Sequence, residues 1–316
     1  MPTLKETKGR IGSVRSTLKI TSAMKLVASA KLRKAQLAIE AMRPYEREMQ
    51  GILAALGVPG GAGNDASGTG NDVPVMPDGA PAKPDTDRAS SRPRAIVAVS
   101  SNSALCGGFN ASVIAKVRSV RLPGDIVYSL GRKMAEAMRR DGFPSPEDYS
   151  ALSERPAYGP ASEMVEHLIQ EQEKGRICGV LLVYNHFIST AHQDPVVEWL
   201  LSPETPGQAG NDAVVVPDAG PDMPAPGRAS QEEDTIFEPG RKELLKVLVP
   251  KTVKLKLYAA LLDSAASEHS ARTVAMQTAT DNAENLLDEL TLQYNKGRQQ
   301  KITAEILDLA GGQSEK

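Results

Sequence analysis

The C-terminal part of the chain contains an unusually long run that favours a helix. Between Ser264 and Leu309 there is no proline and a single glycine, Gly297. Read back to Pro250, which suits a first helical position, the run predicts a helix of about 60 residues, or roughly 90 Å at about 1.5 Å per residue. A single globular core does not need a helix of that length, so we predict that it spans separate parts of a larger structure.

The two halves of this predicted helix differ in the size of their side chains. From Ser264 to Ala283, alanine alternates with serine and threonine, so another backbone can come close. The second half carries larger apolar residues at helical spacing, which predicts a packing stripe. Its members are Leu286, Leu290, Tyr294, Ile302, Ile306 and Leu309.

The N-terminal part of the chain offers a partner for this helix. Fourteen positions follow one another at alternating steps of three and four residues, and eleven of them are apolar. They are Ile11, Val14, Leu18, Thr21, Lys25, Ala28, Leu32, Ala35, Ile39, Met42, Glu46, Met49, Leu53 and Leu56. Because a seven-residue repeat winds two helices together with a left-handed sense, we predict a left-handed coiled coil between the chain ends, antiparallel or splayed. Where Thr21 and Lys25 interrupt the apolar row, a neighbouring row of Ile20, Met24 and Val27 could take over.

Composition divides the chain into helical, linker and α/β segments. We predict a coiled-coil helix over residues 1–57, an α/β domain over 95–202, and a short helix followed by the long one over 235–316. The intervening segments, 58–94 and 203–234, are rich in Gly, Pro, Asn and Asp, which favours linkers or loops. These two segments also resemble each other, and we interpret both as low-complexity insertions.

Within the predicted α/β domain, β-rich runs alternate with helical ones. The predicted strands cover 95–100, 124–130, 177–184 and 196–201, and the predicted helices cover 111–120, 132–141 and 160–174. Strands that alternate with helices at this spacing indicate a mostly parallel, Rossmann-like sheet with helices on its faces.

Charge and composition argue against several classes of function. The formal net charge is −2 and 4% of the residues are aromatic, which disfavours an RNA-binding platform built on base stacking. Residues 1–43 are strongly basic, so nucleic-acid binding stands as an alternative to contact with an acidic protein collar. Two distant cysteines favour a reducing compartment. No apolar run has the length of a membrane span, and the first residues lack a leader pattern, so we expect a soluble protein.

No set of residues has the spacing of an active site. The run from Ser100 to Asn110 joins a strand to a helix, where phosphates often bind. It matches neither G-x-G-x-x-G nor a P-loop, and we interpret its glycines as residues of a tight turn. Cys106 has no histidine at a spacing that would supply a base, and His186 and His192 lack a third metal ligand, so we interpret both as surface or loop residues. We therefore expect no catalytic residue, no cofactor and no metal.

Three stretches of the sequence resemble the gamma subunit of the rotary proton-translocating ATP synthase. They are RIGSVRSTLKITSAMKLVASAKLRKAQ from Arg10, LCGGFN from Leu105, and ASEHSARTVAMQTATDNAENLLDELTLQYNKGRQQKITAEILDL from Ala266. The resemblance implies a non-catalytic rotor shaft, with one copy per complex, whose two end helices turn inside a ring of alternating alpha and beta subunits. Its α/β domain would lie beside the epsilon subunit and the membrane c-ring, and its rotation would couple proton flow to ATP synthesis.

The resemblance also implies contacts between the end of the long helix and the catch loops of the ring. They would be made by Arg298, Gln299 and Thr303, with Met24 as their neighbour on the first helix. The chemistry of these residues agrees with such contacts, because arginine can fork onto carboxylates and glutamine can both donate and accept.

Two further pairs of residues match the family pattern. Glu268 and Arg272, which lie four apart on one helical face, match a pair that is tied to coupling efficiency. Phe237 and Glu238 match an aromatic-Glu-Pro foot near the c-ring. The sequence departs from the family just before LCGGFN, where Asp-Arg-Gly is common and this chain has Asn-Ser-Ala at 102–104.

The resemblance and the missing leader together predict a peripheral protein at the cytoplasmic face of a bacterial inner membrane. The alternative is a coiled-coil scaffold or nucleic-acid-binding protein with an α/β head. An independent enzyme is a third possibility, for which the sequence supplies no suitable groups.

Overall fold

The computed structural model describes residues 3–56, 92–203 and 240–311. In chain order the elements are α1 (Leu4–Ala55), β1 (Ala95–Val99), α2 (Phe109–Val120), β2 (Ile126–Leu130), α3 (Arg132–Arg140), α4 (Ser150–Glu154), α5 (Tyr158–Glu173), β3 (Val180–Phe187), β4 (Gln193–Leu201) and α6 (Arg241–Gly311). The long helices predicted near the two ends of the chain are therefore confirmed.

The four strands form one sheet in the order β2-β1-β3-β4. β1 pairs in parallel with β2 and with β3, whereas β4 runs antiparallel to β3. The predicted mostly parallel sheet is confirmed, with β4 as its antiparallel member. Every residue of β1 is buried, as expected for a central strand that is covered on both faces.

Helices cover both faces of this sheet. On one face, Val113 of α2 and Met134 of α3 belong to a buried cluster with the strands. On the opposite face, Leu168 of α5 packs in a second cluster together with Leu257 and Leu261 of α6. The long helix therefore contributes to the core of the α/β domain as well as to the helix pair.

The predicted short helix before the long one is wrong. α6 runs without a break from Arg241 to Gly311, and Pro250 lies inside it rather than at its first position. An internal proline removes a backbone hydrogen bond and costs about 3 kcal/mol. Leu257 and Leu261, both fully buried against the sheet, each contribute roughly 1.5–3 kcal/mol on burial. Packing on the sheet thus outweighs the local cost of the proline.

The hairpin of β3 and β4 is longer than the sequence pattern predicts. Its pairing extends to Phe187 and Gln193, although the predicted strands end at residue 184 and begin at residue 196. A pattern based on apolar runs does not predict this extension, because the residues at the tip of the hairpin are mostly polar. The helix α4 is likewise absent from the predictions, because five residues are too few for a helical period to be recognised.

Candidate functional site: the helix pair, its tip and its junction with the sheet

α1 and α6 pack against each other along an antiparallel seam. Leu4 at the start of α1 lies beside Gly297 near the end of α6, and further along Lys25 Nζ donates a hydrogen bond of 2.7 Å to Gln277 Oε1. All fourteen predicted seam positions of α1 are buried or half-buried. The corresponding row on α6 alternates steps of four and three, and consists of Met276, Thr280, Ala283, Leu287, Leu290, Tyr294 and Gly297. The predicted pairing of the chain ends is confirmed, and its sense is antiparallel.

The expected change of rows at Thr21 and Lys25 is wrong. Ile20 and Val27, which would replace them, are 60% and 57% exposed, whereas Thr21 is 8% exposed. Thr21 stays in the seam because its hydroxyl accepts a hydrogen bond from Thr280 Oγ1, 3.0 Å away. A polar side chain can remain buried when a partner on the opposite helix satisfies it.

Beyond Gly297, α6 continues as a single exposed helix. Every side chain from Arg298 to Leu307 is exposed, because α1 begins at Leu4, which lies opposite Gly297. The packing stripe predicted for this part of the helix is therefore wrong within the chain. Ile302, Ile306 and Leu309 are 47%, 59% and 76% exposed. Leu286, which lies before Gly297, is 44% exposed because it falls outside the seam row, whereas Leu290 and Tyr294 of the predicted stripe belong to that row.

The exposed end of α6 carries the three predicted tip residues, Arg298, Gln299 and Thr303. The structure does not place Met24 beside them. Met24 is half-buried and adjoins Lys25, whose partner Gln277 is roughly 30 Å from Arg298 along α6 at about 1.5 Å per residue. The expectation that Met24 neighbours the tip is wrong, because the two antiparallel helices place it far down the seam.

Glu268 and Arg272 form an ion pair where α6 meets the loop after β1. Glu268 Oε1 lies 2.7 Å from Arg272 Nη1, and both side chains are 12% exposed. Arg272 Nη2 also donates a hydrogen bond of 2.7 Å to Ser103 Oγ. The pairing expected from their spacing is confirmed. Ser103, at the position where the family pattern commonly has arginine, links the pair to the sheet domain through a neutral hydroxyl.

The electrostatic surroundings of this pair include groups from α1. Burial raises the pKa of Glu268, while Arg272 and Lys31 of α1 act in the opposite direction. Burial, reinforced by the positive charges of Arg272 and Lys31, lowers the pKa of His269 to about 4. His269 is therefore neutral at physiological pH, and the carboxylate of Glu268 is the group that balances Arg272.

Small residues of α6 lie against the carboxyl ends of β1 and β3. Ser267 Oγ donates to the backbone carbonyl of Asn185 at 3.1 Å, and Ser270 Oγ donates to that of Thr190 at 2.6 Å. In open α/β sheets, ligands bind in the crevice where the strand order reverses, which in this sheet lies between β1 and β3. The predicted close approach to this helix is confirmed, and α6 lines one side of this crevice with Ala271, Val274 and Ala275.

The polar residues between Ser100 and Asn110 bond to one another. Ser101 N–H donates to Asn110 Oδ1 at 3.0 Å, and Asn110 Nδ2 donates to Cys106 Sγ at 3.1 Å. Gly107 has a φ of +57°, a left-handed conformation that favours glycine. These contacts support the interpretation of this run as a tight turn.

The histidines singled out from the sequence each pair with one carboxylate. His186 lies at the exposed end of β3 and bonds to Asp263 of α6 at 2.5 Å, and His192 Nε2 is 3.2 Å from Asp194. Both are surface residues as expected, although His186 belongs to a strand. Within residues 3–56, 92–203 and 240–311, no group of three or more His, Cys, Asp or Glu side chains is placed to hold a metal ion.

The sequence matches a family model described as ATP synthase over residues 3–314. It is 42% identical to the ATP synthase gamma chain of Bacteroides thetaiotaomicron and 40% identical to that of Phocaeicola vulgatus, and each alignment covers 99% of both chains. The chain belongs to the ATP synthase gamma chain family. The resemblance carried by three stretches of sequence therefore extends over the whole length.

Solved structures support the gamma-chain fold. The rotor of the Euglena gracilis mitochondrial ATP synthase gives a TM-score of 0.60 at 16% identity, covering 95% of this chain and 98% of that one. A second Euglena gracilis structure, which comprises OSCP, F1 and the c-ring, gives 0.61 at 16% identity and covers 98% and 93%. At this identity the similarity establishes the fold. None of the helices in the described part of the chain combines the length and hydropathy needed to cross a membrane.

The structure does not test the foot predicted from the gamma-family pattern. Phe237 and Glu238 lie outside the described residues, so the foot stays a prediction. Sequence reasoning also missed the hydrogen bond of Ser103 with Arg272 and the role of Asp263, which accepts a hydrogen bond of 3.0 Å from Phe187 N–H. No local pattern marks such residues, because their partners are far away in the sequence.

Proposed function

We propose that this gamma-family chain is the central rotor shaft of an F-type ATP synthase. It would couple proton flow through the membrane c-ring to ATP synthesis at the beta subunits by rotation. The observation that supports this function best is the antiparallel helix pair that ends in a single exposed helix. In this proposal the chain is a non-catalytic subunit, present in one copy, peripheral at the cytoplasmic face of the bacterial inner membrane.

The asymmetry of the rod supports rotation as the means of coupling. A single helix extends past the pair, so each surrounding subunit meets a different surface at each rotary angle. Contacts that differ between conformations shift the equilibrium between those conformations. Alternating alpha and beta subunits would surround the helices, with Arg298, Gln299 and Thr303 meeting their catch loops and Met24 meeting the ring lower down.

The α/β domain, residues 95–202, would receive torque at the other end of the shaft. We assign residues 1–57 and 235–316 to the shaft, with Phe237 and Glu238 as the foot near the c-ring and the epsilon subunit alongside. The ion pair of Glu268 and Arg272 would carry force between the sheet and the rod. The hydrogen bond from Arg272 to Ser103 of the loop after β1 and the charge of Lys31 on α1, which acts on Glu268, favour that role over a purely local one.

The contact role of the tip is tested with the double variant R298A/Q299A in the reconstituted complex. We expect ATP-driven proton pumping and ATP hydrolysis both to fall, because the ring would lose its charged and amide contacts with the shaft. The control is K133A/E136A, which removes a partly exposed ion pair of α3. Unchanged pumping and hydrolysis in R298A/Q299A would remove these residues from the proposal.

Purification tests the function as a whole. A rotor subunit must co-purify with alpha and beta subunits, whereas a coiled-coil scaffold need not. Salt-sensitive retention of DNA without those subunits would instead favour the nucleic-acid-binding alternative, since phosphate contacts weaken steeply with salt.

A further inference from the structure

A cluster of polar side chains crosses the α1–α6 seam at a single level. Thr280 Oγ1 lies 3.0 Å from Thr21 Oγ1, and one turn away Lys25 Nζ donates to Gln277 Oε1 at 2.7 Å. Gln277 Nε2 in turn donates to Asp281 Oδ1 at 2.6 Å. We call these five residues the polar clasp.

Apolar packing alone defines the register of such a pair weakly. The seam rows on both helices repeat every seven residues. After a slip of one heptad, about 10 Å at about 1.5 Å per residue, the two rows therefore face each other again. Apolar contact is non-directional and tolerates such a change. A polar residue at one seam position of a coiled coil distinguishes the registers, because its partner stands at one level only.

We propose that the polar clasp sets the axial register of α1 on α6. A slip of one heptad places Thr280 opposite Val14 or opposite Ala28, depending on direction, and both of those side chains are apolar. Either slip breaks the bond between Thr280 and Thr21. The clasp therefore distinguishes the observed register from neighbouring registers in which the two apolar rows still face each other.

The clasp acts on register more than on overall stability. Thr21 Oγ1 also donates to the Leu18 carbonyl at 3.1 Å, and Thr280 Oγ1 also contacts the Met276 carbonyl at 2.8 Å. Both hydroxyls thus keep an acceptor in their own helix when the interhelical bond is absent. Replacing both by valine removes the directional contact without leaving an unsatisfied group, which is nearly neutral or stabilising for the fold.

Register determines how much of α6 projects beyond the start of α1. Leu4 meets Gly297 in the observed register, so Arg298 is the first residue of the free tip. A slip by one heptad would cover or uncover about two turns of α6 at 3.6 residues per turn. The inference about register stands without the rotor function, whereas its consequence for the ring contacts rests on that proposed function.

The test measures the distance between nitroxide labels at Lys8 and Asn295, two exposed positions on opposite helices near the tip. For labelling, the full chain carries Lys8→Cys and Asn295→Cys, and the half-buried native Cys178 is replaced by serine. The test variant is T21V/T280V/Q277A. The matched control is T17V/T278V, in which two exposed threonines that bond to carbonyls of their own helices are replaced in the same way.

We expect a single narrow distance distribution for the parent and the control. The test variant should show a second population at a longer distance, because a slip of one heptad moves the two labels, which start at nearly the same level, by about 10 Å along the axis. T21S/T280S should keep the parental distribution. Helix content and thermal unfolding confirm that each variant is folded. A test variant with the same narrow distribution as the control would overturn the proposal.

A second measurement separates this inference from the rotor function. In the reconstituted complex, a variant with displaced register should pump fewer protons per ATP hydrolysed than the T17V/T278V control. A displaced register with unchanged pumping would leave the register assignment intact and would count against the proposed role of the tip.

Discussion

Removal of Arg272 is the most direct test of how the rod is fixed to the sheet. The substitution Arg272→Met keeps an unbranched apolar stem but removes the guanidinium, so the carboxylate of Glu268, which is 12% exposed, loses its ion-pair partner. Breaking a buried ion pair from one side costs about 3–5 kcal/mol. Because Lys31 also acts on Glu268, we expect a loss near the lower end, about 3 kcal/mol, in the free energy of unfolding by urea.

The cost of this substitution should depend on pH. Burial already raises the pKa of Glu268 above its ordinary value of 4.5, and Arg272 is the first cause that opposes this. Without Arg272 the pKa rises further, so the folded state binds the proton more tightly than the unfolded state. Stability is then retained below the unfolded pKa and lost as the pH rises through the folded one. The deficit of R272M relative to the parent should be larger at pH 8 than at pH 5.

Two further variants complete this experiment. E268Q/R272M should recover most of the loss, because removing both charges of a buried pair is often close to neutral. The control K133A breaks the more exposed pair of Lys133 and Glu136, and such surface pairs contribute about 0–1 kcal/mol. A loss below about 1 kcal/mol for R272M at pH 8, without pH dependence, would refute the claim that Arg272 compensates a buried charge.

Two other substitutions test the sheet domain and its contact with α6. Gly131→Ala should lower the free energy of unfolding by urea by about 3 kcal/mol or more. Gly131 has a φ of +117°, and a Cβ there would lie 2.2 Å from the Ser100 carbonyl oxygen. A Gly142→Ala control, with open space around it, should cost much less, and equal losses would contradict the steric explanation. The hydrogen bond to Asp263 raises the pKa of His186. The parent should therefore exceed His186→Gln in free energy of unfolding most strongly below pH 6.5, and this difference should shrink as the pH rises through the pKa of the folded state. A constant difference from pH 5.5 to pH 8.5 would show that the imidazolium contributes nothing.

The sequence allowed the helix pair to be predicted because its signal repeats. Fourteen seam positions from Ile11 to Leu56 repeat the same spacing, so a single polar residue among them does not change the prediction of a packing face. The alternating strands and helices of the α/β domain are predictable for a similar reason, since each strand is an apolar run bounded by turn residues. Long, periodic elements can therefore be predicted without knowledge of the tertiary structure.

Features that depend on a distant partner could not be predicted in this way. The row from Ile302 to Leu309 has the same spacing as the true seam, yet it is exposed because α1 does not reach it. Thr21 disrupts an apolar row, yet it is buried because Thr280 meets it. Periodicity identifies the face of a helix that can pack, whereas the length and register of the partner decide which part of that face does so.

The long helix α6 meets the Rossmann-like sheet at the edge where such sheets commonly bind ligands. The carboxyl ends of β1 and β3 form the crevice in which such sheets hold nucleotides, and Ser267 and Ser270 of α6 bond to the backbone there. Their small side chains let the helix lie close to the loops. In the run from Ser100 to Asn110, Ser101 and Asn110 bond to each other, and Ser103 accepts a hydrogen bond from Arg272 of α6. The long helix is therefore attached to the sheet directly beside the position at which such sheets bind a ligand in other proteins.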